Sequence, residues 1–239
     1  MFRLMELELR RNKLRPYVIV SIVTSVTMTA FLFLLAYAPH IDSDPDLQIF
    51  IGYRNLTLLF SAVNMAIFAT FSATMYSRFV VEEYKGKRAI LLLSYPVERD
   101  KIMLAKLAVV FLFVFFAMTL SSLLAFGIFS VSETIAPLVD EALSLQTLLR
   151  ALRVATIMAI IAAEIGIMAV GVGFIKKSVP ATIISAALLS SLFCNIMLNV
   201  TSDAVKSDMT VTIFISITTL AGMVISVTLM KMVANMEVE

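Results

Sequence analysis

The sequence predicts an all-α integral membrane protein: one transmembrane domain over residues 1–239, with six membrane-spanning helices. An amphipathic N-terminal helix would lie in the interface, and a short cytoplasmic helix would join spans two and three. Three observations predict this class. Hydrophobic residues make up 60% of the chain and charged residues 15%, with a mean hydropathy of +0.97; soluble domains sit at roughly 45–50% and about 25%. Six apolar stretches are each long enough to cross the hydrocarbon layer, which takes about 20 helical residues. Basic residues also crowd onto alternate loops, as the positive-inside rule requires of a polytopic chain.

The same arithmetic excludes other classes. With 7 glycines and 6 prolines the chain is neither collagen-like nor disordered. One cysteine and one histidine leave no disulfide framework and no multi-ligand metal centre. A net charge of +2 gives no footprint for nucleic acid.

Residues 1–15 form a basic, amphipathic segment. Phe2, Met5 and Leu9 fall on one helical face with Leu4 and Leu7 beside it, and Arg3, Arg10, Arg11, Lys13 and Arg15 supply charge. Such a helix lies among lipid headgroups, although the same charges also read as a plain positive flank. Pro16 ends it. The first span covers 17–38. Ala36-Tyr37-Ala38 mimics a cleavage site, but Pro39 comes next and a prolyl imide is a poor scissile bond. The apolar run also exceeds the roughly 7–15 residues of a signal-peptide core, so an uncleaved span is expected. The remaining spans are 56–80, 102–129, 152–175, 179–200 and 209–232. The Val, Ile, Phe, Thr and Met of the first three spans favour strands in water, but in lipid only internal hydrogen bonding satisfies a lone segment's backbone, so the spans are expected to be helices. The outer loop 130–149 is the longest, and its part 136–149 reads as a short interfacial helix.

One side of the membrane carries all of the 19 basic residues except Arg54, Arg150, Arg153 and Lys206. The other side carries Asp42, Asp44, Asp46, Glu133, Asp140, Glu141, Asp203 and Asp208. Both termini are therefore expected in the cytoplasm of a multi-pass plasma (inner) membrane protein. The same bias supports an even number of spans. Arg150 and Arg153, at the outer mouth of span four, read first as interfacial anchors.

No catalytic residue, cofactor site or metal site is expected in this chain. A phosphate-binding loop needs two glycines, a lysine and a hydroxyl in fixed register; Gly86-Lys87 is followed by Arg88, and Gly171-Val172-Gly173 lies inside a span. A serine nucleophile would need a base, and the one histidine, His40, lies at the outer mouth of the first span. Glu164 is the carboxylate placed within a span. An intramembrane carboxylate is a functional hypothesis by default: it can bind a cationic group, relay protons or pair with another chain. The alternative is a structural hydrogen bond to Asn64, Asn195 or Asn199 on other spans. Ala162/Gly166 and Ala169/Gly173 are small-residue pairs that let helices approach closely.

The most informative stretch is 82–106, E-E-Y-K-G-K-R-A-I-L-L-L-S-Y-P-V-E-R-D-K-I-M-L-A-K. It begins charged, runs apolar through 89–93, turns at Ser94-Tyr95-Pro96 and recharges. Pro96 disfavours helix at Tyr95, and a new helix opens at Pro96 or Asp100. Leucines exposed on a water-facing helix ask for a covering protein. Glu83, Lys85-Gly86, the apolar run, Ser94-Tyr95-Pro96-Val97, Arg99 and Lys106 together resemble the permease subunits of type 2, exporter-class ABC transporters. Lys87 stands where many relatives have Thr, and the last outer loop, 201–208, is short for that family.

The resemblance implies that 82–95 is a coupling helix, with Glu82, Glu83, Tyr84, Lys85, Gly86, Ala89, Leu91, Leu92, Leu93 and Pro96 docking on a separate ATPase. It implies an ABC ATPase subunit dimer as partner, which holds the ATP and Mg, and a second permease copy, identical or paralogous. The implied function is ATP-driven export, by alternating access, of a hydrophobic or amphipathic substrate such as a peptide antibiotic, toxin or drug. Lipid is the remaining partner and nucleic acid is not one. The alternatives are a proton- or cation-coupled secondary transporter using Glu164, or a non-transporting membrane scaffold. Glu164, Asn64, Asn195 and Asn199 are the candidates for a substrate pathway or a polar bundle interior.

Overall fold

A computed structural model describes residues 2–11, 14–41, 52–85, 99–135, 138–139, 144–200 and 204–235. Every regular element among them is helical: α1 (Phe2–Arg11), α2 (Arg15–Ile41), α3 (Tyr53–Tyr76) with a π-helical continuation (Ser77–Val81), α4 (Arg99–Ile135), α5 (Leu145–Ile175), α6 (Val179–Val200) and α7 (Ala204–Ala234). Six of them, α2 to α7, are long and apolar enough to cross a membrane. They fall on the six expected stretches.

Local chemistry sets the ends. Pro16 occupies the second position of α2, where a missing N–H costs nothing. Gly52, before α3, has φ 88°, a left-handed value that glycine accepts freely. The Ser144 hydroxyl accepts the Thr147 N–H at 3.2 Å and caps α5. The α5–α6 turn closes by two bonds, Ser178 N–H to Gly173 O at 3.0 Å and Lys177 N–H to Phe174 O at 3.2 Å. That pairing requires a left-handed residue, which Lys177 provides with φ 48°.

The 37 residues of α4 extend about 55 Å at 1.5 Å per residue. The helix therefore projects beyond the hydrocarbon layer. At its far end Glu133 accepts the Tyr53 hydroxyl at 3.0 Å and the Leu138 N–H at 3.1 Å. This corrects the expected interfacial helix at 136–149: residues 145–149 are the first turns of α5 itself, and 136–137 and 140–143 lie outside the described residues.

α5 is the hub, packing on α3, α4, α6 and α7. Its most apolar window is 78% buried and that of α3 is 72%, against 17% for α2 and 22% each for α6 and α7. The two inner spans thus carry the bundle, and the outer ones offer Ile19, Val26, Leu188, Leu192, Leu220 and Val224 outward. Small residues explain the centrality of α5. Ala151, Ala155, Ala159, Ala162, Gly166, Ala169 and Gly173 recur every three or four residues and are all buried, so neighbouring backbones come close on that face. A Cβ on Gly166 would strike Ser72 of α3, and one on Gly173 would strike Thr182 of α6. A second apolar cluster near the other end joins Met28 and Leu32 of α2 to Tyr53 and Phe60 of α3 and Phe129 of α4.

Candidate coupling flank and intramembrane polar site

Where α3 ends, the helix widens. The Glu82 N–H donates to Ser77 O, five residues back, at 2.9 Å. A π-turn takes in one residue more than an α-turn and so re-aims the chain beyond it, which is why such turns concentrate at functional sites. The residues re-aimed here are Glu82, Glu83, Tyr84 and Lys85. Tyr84 is buried, with its ring edge-on to Phe174 at the end of α5 at a centroid distance of 5.6 Å. Burial first, then the charges of Glu83 and Glu8, push its phenol far above the usual range, against a smaller pull from Arg11. The hydroxyl stays neutral. Glu82 and Glu83 are half-buried and Lys85 is exposed. Gly86, Ala89, Leu91, Leu92, Leu93 and Pro96 lie outside the described residues.

Glu83 faces Lys106 of α4. The Lys106 side chain is 0% exposed, and its Nζ donates to Glu83 Oε2 at 2.5 Å and to Glu8 Oε2 at 2.8 Å. Arg11 lies against Glu83 and is 3.7 Å from Glu8. Burial alone would lower the Arg11 pKa; the hydrogen bond to Glu83 and the charges of Glu8 and Glu83 outweigh it and leave the guanidinium above its ordinary value.

The N-terminal helix turns a charged face to the bundle and leaves leucines outward. Its Glu8 is buried while Leu7 and Leu9 are exposed, because α1 packs against α4 through charge. Sequence reasoning did not single out Glu8, although a signal was there. Glu8 falls four residues after Leu4 and three after Met5, inside the apolar arc of its helix, and Lys106 interrupts the run I-M-L-A-K-L-A-V-V. Opposite charges set within two apolar surfaces are the legible mark of a buried pair.

The second polar site lies within the bundle. Glu164 is buried on α5, and its oxygens accept the Thr218 hydroxyl at 2.6 Å and the Thr219 hydroxyl at 2.7 Å, both from α7. Of the expected amide partners, Asn64 is engaged on another helix. The Asn64 amide donates instead to Ser122 of α4 at 3.1 Å, Asn195 is exposed, and the side chain of Asn199 lies outside the described set. Hydropathy hid the threonines, since a hydroxyl that can bond its own helix passes unnoticed in an apolar span. Both hydroxyls also reach the Ile215 carbonyl, at 3.2 Å and 2.6 Å.

That second acceptor decides the energetics. A buried hydroxyl is costly only when orphaned, and here each threonine can fall back on its own helix. The bundle therefore does not need the carboxyl. Glu164→Leu and Glu164→Gln are expected to keep thermal stability within about 1 kcal/mol, because deleting a buried carboxyl relieves desolvation. A carboxyl that serves the substrate pathway is expected to show as a fall in transport of about ten-fold or more in these variants, an intramembrane carboxylate being a functional hypothesis by default. Thermal unfolding and flux measured on one preparation check this; poor folding with normal flux would assign Glu164 a structural role.

Comparison with known proteins places these features. The sequence model of the ABC-2 family transporter proteins matches residues 4–191. The chain belongs to the ABC-2 family of transporter proteins. An uncharacterized Bacillus subtilis (strain 168) protein, YcbO, is 26% identical over 189 residues, covering 79% of this chain and 82% of that one. No solved structure matches at a significant level. The match to this ABC-2 protein begins within α1 and runs through the turn at Tyr84, Glu164 and most of α6. The N-terminal helix, the polar turn and the spans α2 to α5 with most of α6 thus fall within one family domain, whose members are transport proteins of the membrane.

Proposed function

We propose that this ABC-2 protein is the membrane-spanning subunit of an ATP-driven exporter. A dimer of separate ABC ATPase subunits supplies the chemical work, and two permease copies, identical or paralogous, enclose the pathway. Segment 82–95 seats in the ATPase, and both termini lie in the cytoplasm. ATP closure tilts the two copies between inward- and outward-facing states, and a hydrophobic or amphipathic molecule is expelled. No residue of this chain acts on ATP.

The observation that carries the reading is the turn Glu82–Lys85, anchored by its buried Tyr84, in an ABC-2 chain. A connecting segment launched from a π-turn, with Tyr84 wedged against Phe174 and Glu83 against Lys106, is held firmly at its root. A rigid root transmits displacement, whereas a loop held only by its own backbone absorbs it. Basic residues on that side favour the cytoplasm. An apolar bundle holding the Glu164–Thr218–Thr219 site suits a substrate that is mostly apolar with a polar group.

Affinity purification of the chain from its native membrane tests the reading. The expected result is an ABC ATPase retained in equal amount and an ATPase activity that changes when the complex is moved from detergent into liposomes. A chain that moves substrate without ATP, with no nucleotide-hydrolysing partner, would overturn it.

A further inference from the structure

Lys106 joins three elements that are far apart in sequence. Its ammonium lies between Glu8 of α1 and Glu83 beyond α3, and Arg11 closes the cluster from the rim. Among the described residues two cations meet two anions there. Its neighbours Met103, Ala105, Leu107 and Val110 are buried and apolar, so a methionine would fill the volume of Lys106 without desolvating a charge. Methionine there would leave Glu8 and Glu83 without their buried counter-charge, but a buried ion pair taken whole seldom adds stability over apolar residues of the same volume; its best-attested use is to specify which elements meet and in what register. The register specified here is particular. Glu83 stands three residues before Gly86 and Lys106 seven residues after Arg99, so the pair joins the two ends of segment 86–98. Glu8 and Arg11 then tie that junction to the helix at the membrane surface.

We propose that Glu8, Arg11, Glu83 and Lys106 form a clamp that makes α1 and both roots of segment 86–98 one mechanical unit, so that a displacement delivered to the segment is passed to the N-terminal helix. The purpose of the clamp rests on the coupling role proposed above; its existence does not. Lys106 is a positioning residue in this scheme, since it touches neither nucleotide nor substrate. An interfacial helix moved by the clamp would shift against the headgroups as α3 and α4 tilt, and so would carry the stroke to the rim of the bundle.

Hydrogen–deuterium exchange on the purified chain in lipid nanodiscs tests the clamp without any ATPase. In Lys106→Met the amides of α1 should exchange about ten-fold faster or more, as for a locally released element, while those of α5 keep their protection. Glu8→Gln, which keeps the shape of the side chain and an acceptor, should show the same pattern in weaker form if the lysine variant does not fold. Unchanged α1 exchange in Glu8→Gln would overturn the clamp. A second arm uses the complex with its ATPase trapped by ATP and vanadate. In the native chain, trapping should alter exchange in both segment 86–98 and α1; in Glu8→Gln the segment should still respond and α1 should not. An α1 that responds equally in both proteins would also overturn the proposal. A chain that binds no ATPase at all would defeat the coupling reading and leave the first arm intact.

Discussion

Gly173→Leu is expected to destabilise the isolated protein by about 1–3 kcal/mol or more, the usual cost of forcing atoms into a filled interior. A Cβ at this position would collide with the Oγ1 and Cβ of Thr182 and press on its Cα. Thr182 is itself fully buried, and its Cβ is attached to the backbone of α6, so it cannot swing away as the tip of a long side chain would. The tight turn of α5 into α6 leaves the two helices little freedom to separate. Gly166→Leu should behave alike, since its Cβ would meet Ser72 and Tyr76 of α3. Gly127 is the control. A Cβ there has nothing within 4 Å, and Gly127→Ala should be neutral or raise stability by up to about 1 kcal/mol through helix propensity. Thermal unfolding of the variants in one detergent decides the matter. Equal melting temperatures for all would mean that α5 does not lie as close to its neighbours as these glycines allow.

Replacing Leu91, Leu92 and Leu93 together with aspartate is expected to abolish transport while leaving membrane insertion intact. These residues lie between the second and third spans, on the basic side, so new charges there cost no transfer into lipid. If they anchor in an ATPase groove, burying three carboxylates without partners removes the apolar core of the interface. A loss of about 4 kcal/mol corresponds to roughly a thousand-fold weaker docking. Hydrolysis by the ATPase alone should persist, because none of its chemistry resides in this chain. The measurement is ATPase activity with and without the permease, beside flux into vesicles. Undiminished flux in the triple variant would detach this segment from the coupling step.

The two experiments probe features of unequal visibility in the primary structure. Fold class and the positions of the spans follow from summed hydropathy, which is a property of contiguous residues, whereas the expected break at Pro16 falls before Arg15, Pro16 itself lying in the first turn of α2. The small-residue pairs on α5 were visible for the same reason, since helical spacing alone puts Ala162 beside Gly166 and Ala169 beside Gly173. A carboxylate at 164 was conspicuous because a charge in an apolar run is rare. Its partners were not, and Asn64, one of the asparagines expected to meet it, bonds Ser122 instead.

Which faces meet across the bundle depends on helix rotation and tilt, and these are set by contacts between residues dozens of positions apart. Hydropathy is a sum along the chain and is blind to rotation. It therefore could not tell that α3 and α5 would be central and α2, α6 and α7 peripheral, although all five are similarly apolar. Nor could it foresee the π-turn at Ser77–Val81, which shifts the register by one residue and changes where Glu83 points. The junction of Glu8, Glu83 and Lys106 exists only once three helices have packed, because an ammonium leaves water only when its counter-charges are already in place.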